Sequence, residues 1–216
     1  MQDKSLILAF DTSAAHCAAA LLRGDQILAQ SREEMAKGQA ERLIPLLEET
    51  LSAAKATWAD LDALAVGIGP GNFTGIRISV SAARGLALGL DVPAIGVSAL
   101  DALTAGQAGP TVASLDARRE HLYVQGAGAP RFCTLDSLPD LPQGATCIGY
   151  LAAELAQRCN GTPAEAHYPM AEAIARIAAT RLNQPGQPDL PAPAPLYLRE
   201  ADAAPARDKP PALLDD

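Results

Sequence analysis

A chain of 216 residues with 17 lysine and arginine against 25 aspartate and glutamate side chains carries a formal net charge of −8 at pH 7. With 49% hydrophobic and only 19% charged residues it has ample material for a packed core, which excludes an intrinsically disordered chain. The halves 1–105 and 106–216 each come out at −4, so neither offers the basic face that would grip a phosphate backbone unaided.

Aromatics make up 4% of the chain, so the core must be built from alanine and aliphatic side chains, and stacking platforms for bases are scarce. Cys17, Cys133, Cys147 and Cys159 form no Cys-x-x-Cys pair, which predicts buried thiols in a reducing compartment. The early apolar run 6–10 is too short for a signal-peptide core, and no run is long enough to span a membrane. A cytoplasmic protein is expected.

In chain order, the apolar block 6–10 stops at Asp11-Thr12-Ser13, the pattern of a buried strand entering a polar turn. Strands over 18–23 and 26–31 follow, joined by a tight Gly24-Asp25 hairpin. Residues 40–54 then change to helical spacing, with Leu43, Leu47, Leu51 and Ala54 on one stripe and Pro45 expected in the first turn. The nearly continuous apolar run 61–68 predicts a strand covered on both faces. A loop, Gly69-Pro70-Gly71-Asn72-Phe73, leads into a helix over 74–88, followed by a strand at 93–97 and a short helix at 98–105. Strand–helix alternation of this kind argues for an α/β layered structure. After the small-residue link 106–110 the pattern restarts: strands near 111–116, 120–126, 132–135 and 146–150, then helices at 151–158 and 170–183. Eight of the 17 prolines fall between 185 and 211, which predicts an extended strap and tail. The expected division is an N-terminal subdomain 1–105, a smaller C-terminal subdomain 106–200 and a proline-rich acidic tail 201–216.

Three local signals bear on chemistry. Asp11, Thr12 and Ser13 could hold a metal-bound phosphate against backbone N–H groups, although the same residues simply favour turns. The segment 69–75, with Gly69 and Gly71, could cradle an anion at a helix N-terminus or merely turn the chain; it is neither a Walker loop nor Gly-x-Gly-x-x-Gly. Arg77, Ser81, Gly85 and Gly89 recur every four residues, a small-residue line that fits either tight internal packing or a partner helix. The three histidines, His16, His121 and His167, are widely separated and are expected at the surface or in turns. No zinc-protease motif or Gly-x-Ser-x-Gly elbow is present, which disfavours a self-contained metallohydrolase or serine hydrolase.

Taken together, residues 7–13, the segment 65–78, Gly96-Val97-Ser98-Ala99-Leu100, Asp116-Ala117-Arg118-Arg119 and Leu196-Tyr197-Leu198-Arg199 closely resemble the bacterial TsaB (YeaZ) family over about residues 5–200. That resemblance implies the actin, Hsp70 and sugar-kinase (ASKHA) type of α/β fold with two related subdomains. It also implies a non-catalytic subunit in threonylcarbamoyladenosine (t6A) modification of tRNA. Such a subunit pairs with the catalytic paralogue TsaD and joins the ATPase TsaE, meeting tRNA indirectly and carrying no cofactor of its own; ATP and metal sit on the partners. The pairing surface would be the helices 40–54 and 74–88, with Glu41, Leu43, Leu47, Thr74, Arg77, Ser81 and Gly85 as candidate contacts, and a homodimer could use the same helices. Asp11, Thr12, Ser13, Gly69 and Gly71 would then be a vestigial phosphate loop.

Two departures from relatives agree with that role. The helix 40–54 lacks the metal-binding histidines of TsaD-like relatives and is preceded by Gln39. Asp116-Ala117-Arg118-Arg119 stands where a second glycine-rich phosphate turn would be needed. The alternative is an ATP-dependent phosphotransferase of the same fold, with Asp11 organising a metal.

Overall fold

The computed structural model describes residues 5–184 and 190–198. β1 (Leu6–Asp11), β2 (His16–Arg23) and β3 (Gln26–Glu34) form an antiparallel meander, with Gly24 in the left-handed region (φ 60°) at the hairpin. α1 (Gln39–Ala53), β4 (Ala63–Gly67), α2 (Phe73–Leu90), β5 (Ala94–Val97) and α3 (Ala99–Thr104) follow. β4 pairs parallel with β1 and β5 parallel with β4, so the first sheet has the order β3-β2-β1-β4-β5.

The second sheet is built from β6 (Thr111–Arg118), β7 (His121–Gln125), β8 (Arg131–Thr134), β9 (Thr146–Gly149) and β10 (Thr162–Ala164), with α4 (Ala152–Arg158) between the last two strands. Its order, β8-β7-β6-β9-β10, repeats that of the first: an antiparallel meander followed by two parallel strands. β10 has only three residues and no alternation for the sequence to reveal. α5 (Met170–Leu182) closes the described helices. No helix among the described residues is long and apolar enough to cross a membrane.

Period-two alternation sorts the side chains of the first sheet onto two covered faces. Leu6, Leu8 and Phe10 of β1 with Leu64 and Val66 of β4 pack under Leu43, Leu46, Leu47 and Leu51 of α1 and Ile76, Val80 and Ala83 of α2. Each such leucine contributes about 2 kcal/mol of apolar burial. On the other face Ala9, Ala63 and Ala65 meet Ala173, Ala175 and Ala178 of α5. Two alanine surfaces of this kind let helix and sheet approach closely.

Two expectations are corrected here. Chain order associates residues 170–183 with the second half, yet α5 packs on the first sheet, where Ala9, Ala63 and Ala65 offer a matching small-residue face. Pro45 lies inside α1, in its second turn; the helix begins at Gln39, so the break in its hydrogen-bond ladder faces outward, where Pro45 is exposed.

All four cysteines are buried and unbridged, with the Cys147 and Cys159 sulfurs 3.6 Å apart. Burial, reinforced by Glu33, pushes the Cys17 thiol up to about 11; burial and the neighbouring Cys159 push Cys147 up to about 12. An acid whose folded pKa is raised stabilises the fold fully below the unfolded thiol value of about 8.5 and loses that contribution as pH rises through the folded value. Urea midpoints should therefore hold steady from pH 7 to 8 and fall progressively above pH 9. A midpoint unchanged at pH 11 would contradict this.

Candidate functional site

The Asp11-Thr12-Ser13 turn leaves β1 at the centre of the first sheet, and all three residues are buried: Asp11 and Thr12 are 0% exposed and Ser13 5%. Asp11 Oδ2 accepts from the Ser13 backbone N–H (3.2 Å) and hydroxyl (3.0 Å) and pairs with His16 Nε2 at 2.7 Å. His16 is thus buried at 5% exposure, which overturns the expected surface placement. His167 is exposed, and His121 is half-buried, stacked on Phe132 with ring centroids 4.7 Å apart. Asp11 Oδ1 has no hydrogen-bond partner among the described residues; it lies against Gly67, where a β-carbon would come within 1.9 Å of it.

The glycine loop closes directly onto this turn. Asn72 N–H donates to Ser13 O (2.7 Å) and the Thr12 hydroxyl donates to Gly75 O (2.7 Å). A β-carbon on Gly71 would lie 2.3 Å from Ser13 O, and one on Gly75 1.9 Å from Thr12 O. Gly69 has φ 88° in the left-handed region, beside a cis Gly69–Pro70 peptide, and Ile76 fills the space next to it. The loop is rich in glycine because another backbone packs on it, a close approach of the kind a phosphate would otherwise require. The Asn72 side chain caps α2 by accepting from Gly75 N–H at 2.9 Å.

One further group completes this filled centre. The Gln39 side chain donates to Ala14 O (3.0 Å), pinning the start of α1 to the same turn. In the second sheet, Arg118, Arg119 and Glu120 hold φ of 64°, 50° and 63°, a left-handed hairpin of three non-glycine residues. For a phosphotransferase, Asp11 would need to present oxygen to a ligand. Here one oxygen is engaged by Ser13 and His16 and the other is covered by Gly67.

The outward side of the α1–α2 layer is open by contrast. Glu41, Thr74, Arg77, Ser81 and Gly85 are all exposed, and a β-carbon on Gly85 or Gly89 meets nothing within 4 Å. The small-residue line therefore faces solvent, and the internal-packing alternative fails. Leu43 and Leu47 correct the candidate contacts: at 1% and 0% exposure they face the sheet and cannot touch a partner. A helical stripe looks the same in sequence whether it faces a core or a partner. The apolar groups of this layer that do reach solvent are Leu88 (87% exposed), Phe73 and Ile44, none of them among the candidate contacts expected from sequence. The Arg77 guanidinium carbon sits 3.9 Å over the Phe73 ring, and its Nε donates to the Tyr197 hydroxyl at 2.8 Å. Arg42 joins α1 to β3 through paired contacts to Glu33 and also pairs with Glu49 of its own helix, which holds both carboxyls below the usual glutamate range.

Residues 26–137 match the family model described as TsaD, tRNA N6-adenosine threonylcarbamoyltransferase. An uncharacterized protein of Mycobacterium tuberculosis is 33% identical over 93% of this chain and 95% of its own length. The tRNA threonylcarbamoyladenosine biosynthesis protein TsaB of Escherichia coli is 37% identical over 54% of this chain and 52% of its length. Among solved structures, YeaZ from Pseudomonas aeruginosa superposes with a TM-score of 0.75 at 27% identity, covering 90% of this chain and all of that one. With its duplicated strand order the architecture is of the actin/Hsp70/sugar-kinase type. By fold and by sequence, the chain belongs to the TsaB (YeaZ) family.

Proposed function

We propose that this chain is a non-catalytic subunit of t6A synthesis. It pairs through the outer face of α1 and α2 with a TsaD-type catalytic paralogue and works alongside a TsaE-type ATPase. The carrying observation is the exposed α2 face, where Leu88 stands 87% exposed beside the open Gly85 and Gly89 positions. An apolar side chain so exposed, flanked by positions without side chains, suits a second helix at close range. The internally engaged Asp11 turn supports an accessory role, with ATP and metal held by the partners and tRNA met through the assembly. Without the paralogue, the same face would join two copies of this chain.

The test is t6A formation on a cognate tRNA transcript by purified TsaC, TsaD and TsaE from the same organism, with and without this chain. Product is expected only when it is present. Equal product in its absence would remove the proposed role.

A further inference from the structure

The strap 190–198 crosses between the two sheets and is held at several points. Leu196 N–H donates to Ile68 O at 2.8 Å, just past the end of β4. Pro193 is buried against Gly96, where a β-carbon would meet it at 3.3 Å, and Leu198 packs on the cluster formed by Leu100, Ala113, Ala117 and Tyr123. Proline at 191, 193 and 195 leaves few backbone donors to satisfy and little freedom to lose. Tyr197 is therefore anchored on both sides. Its ring stacks on Phe73 with centroids 5.2 Å apart, while its hydroxyl receives Arg77 Nε. The guanidinium is thereby fixed from a point 120 residues away in sequence.

We propose that Tyr197, together with Phe73, is a positioning residue that holds Arg77 ready on the outer face of α2 for a carboxylate of the docking partner helix. The proposal rests on the pairing reading above. Arg77 Nε is taken by the tyrosine, which leaves the Nη1 and Nη2 amino groups without a partner among the described residues. That pair of nitrogens matches the two oxygens of a carboxylate. α2 carries Arg77 and Arg84 and no acidic residue, so within a chain of net charge −8 it presents a local cationic face. Arginine side chains lose much rotamer freedom on binding; here that loss occurs on folding, when the strap docks, so the partner meets an ordered group.

Binding of the purified full-length chain to the TsaD-type paralogue, measured by calorimetry, tests this. Tyr197→Phe keeps the stacked ring and removes only the hydroxyl; it should weaken pairing roughly fivefold, and Tyr197→Ala about tenfold. Both variants lie at an exposed side chain and should melt like the parent. In an Arg77→Ala background, Tyr197→Ala should cost nothing further, because its effect passes through the arginine. Parent-like affinity of Tyr197→Ala would overturn the proposal, as would an undiminished loss in the Arg77→Ala background. If Leu88→Arg and Arg77→Ala also bind like the parent, the pairing face itself is wrong and both readings fall. If those two variants lose binding while the Tyr197 variants keep it, only the positioning role falls.

Discussion

A Gly85→Trp chain is expected to lose pairing with the TsaD-type subunit by roughly 100-fold or more, about 3 kcal/mol, while remaining folded. A β-carbon at Gly85 meets nothing within 4 Å, so the free chain has room for the indole. Replacing a mid-helix glycine by tryptophan should even raise its stability slightly, by up to about 0.5 kcal/mol. A partner helix, however, packs at an interaxial distance of about 8–10 Å, and the ring would occupy that space. Leu88→Arg should act in the same direction by placing a charge on the apolar contact. Size-exclusion chromatography of the mixed subunits with a melting curve of each variant separates the two effects. Co-elution of a folded Gly85→Trp chain with the paralogue would move the interface elsewhere.

The largest effect on stability is expected at Gly75. Its would-be β-carbon lies 1.9 Å from the Thr12 carbonyl oxygen, a backbone atom in the turn that directly follows β1 at the centre of the first sheet. Room could come only by parting the two loops, which breaks the Thr12–Gly75 and Ser13–Asn72 hydrogen bonds and uncovers Asp11. Gly75→Ala should therefore cost about 3 kcal/mol or more, against the helix-propensity gain of at most about 1 kcal/mol that alanine brings. Gly128→Ala, where a β-carbon meets nothing within 4 Å, is the control and should be near neutral. Urea denaturation of the two variants gives the comparison. Equal stability would mean that the loops separate freely.

Much of the architecture was legible because hydrophobic period is a local property. The continuous apolar runs of β1 and β4 and the 3.6-residue stripes of α1 and α2 all appear within short windows. The glycine loop was legible as a special place, but its purpose was not. A glycine demanded by a phosphate and one demanded by a neighbouring backbone leave the same letter, and only the Thr12 and Ser13 carbonyls against Gly75 and Gly71 distinguish them. His16 was misplaced for a related reason: an isolated histidine five residues after Asp11 shows no partner until β1 and β2 pair and bring the two side chains to 2.7 Å.

The proline-rich tail 201–216 lies outside the described residues, as does Arg199 of the late family motif. The strap before it reads as extended from its prolines, and residues 190–197 carry no helix or strand. Its contact with Arg77 had no local signal, since the two residues are 120 positions apart.

The sequence by itself determined the α/β class, the order of nearly all strands and helices, the existence of a small-residue line on α2 and, through five ordered motifs, the family, while only the structure showed that this line is open to solvent. Tertiary structure alone decided which helical stripe faces the sheet, which sheet receives α5, what engages Asp11 and what holds Arg77. The first set follows from backbone periodicity and turn chemistry, which act over a few residues. The second depends on pairs of groups distant along the chain, whose contacts come into being only when the sheets assemble and the strap crosses between them.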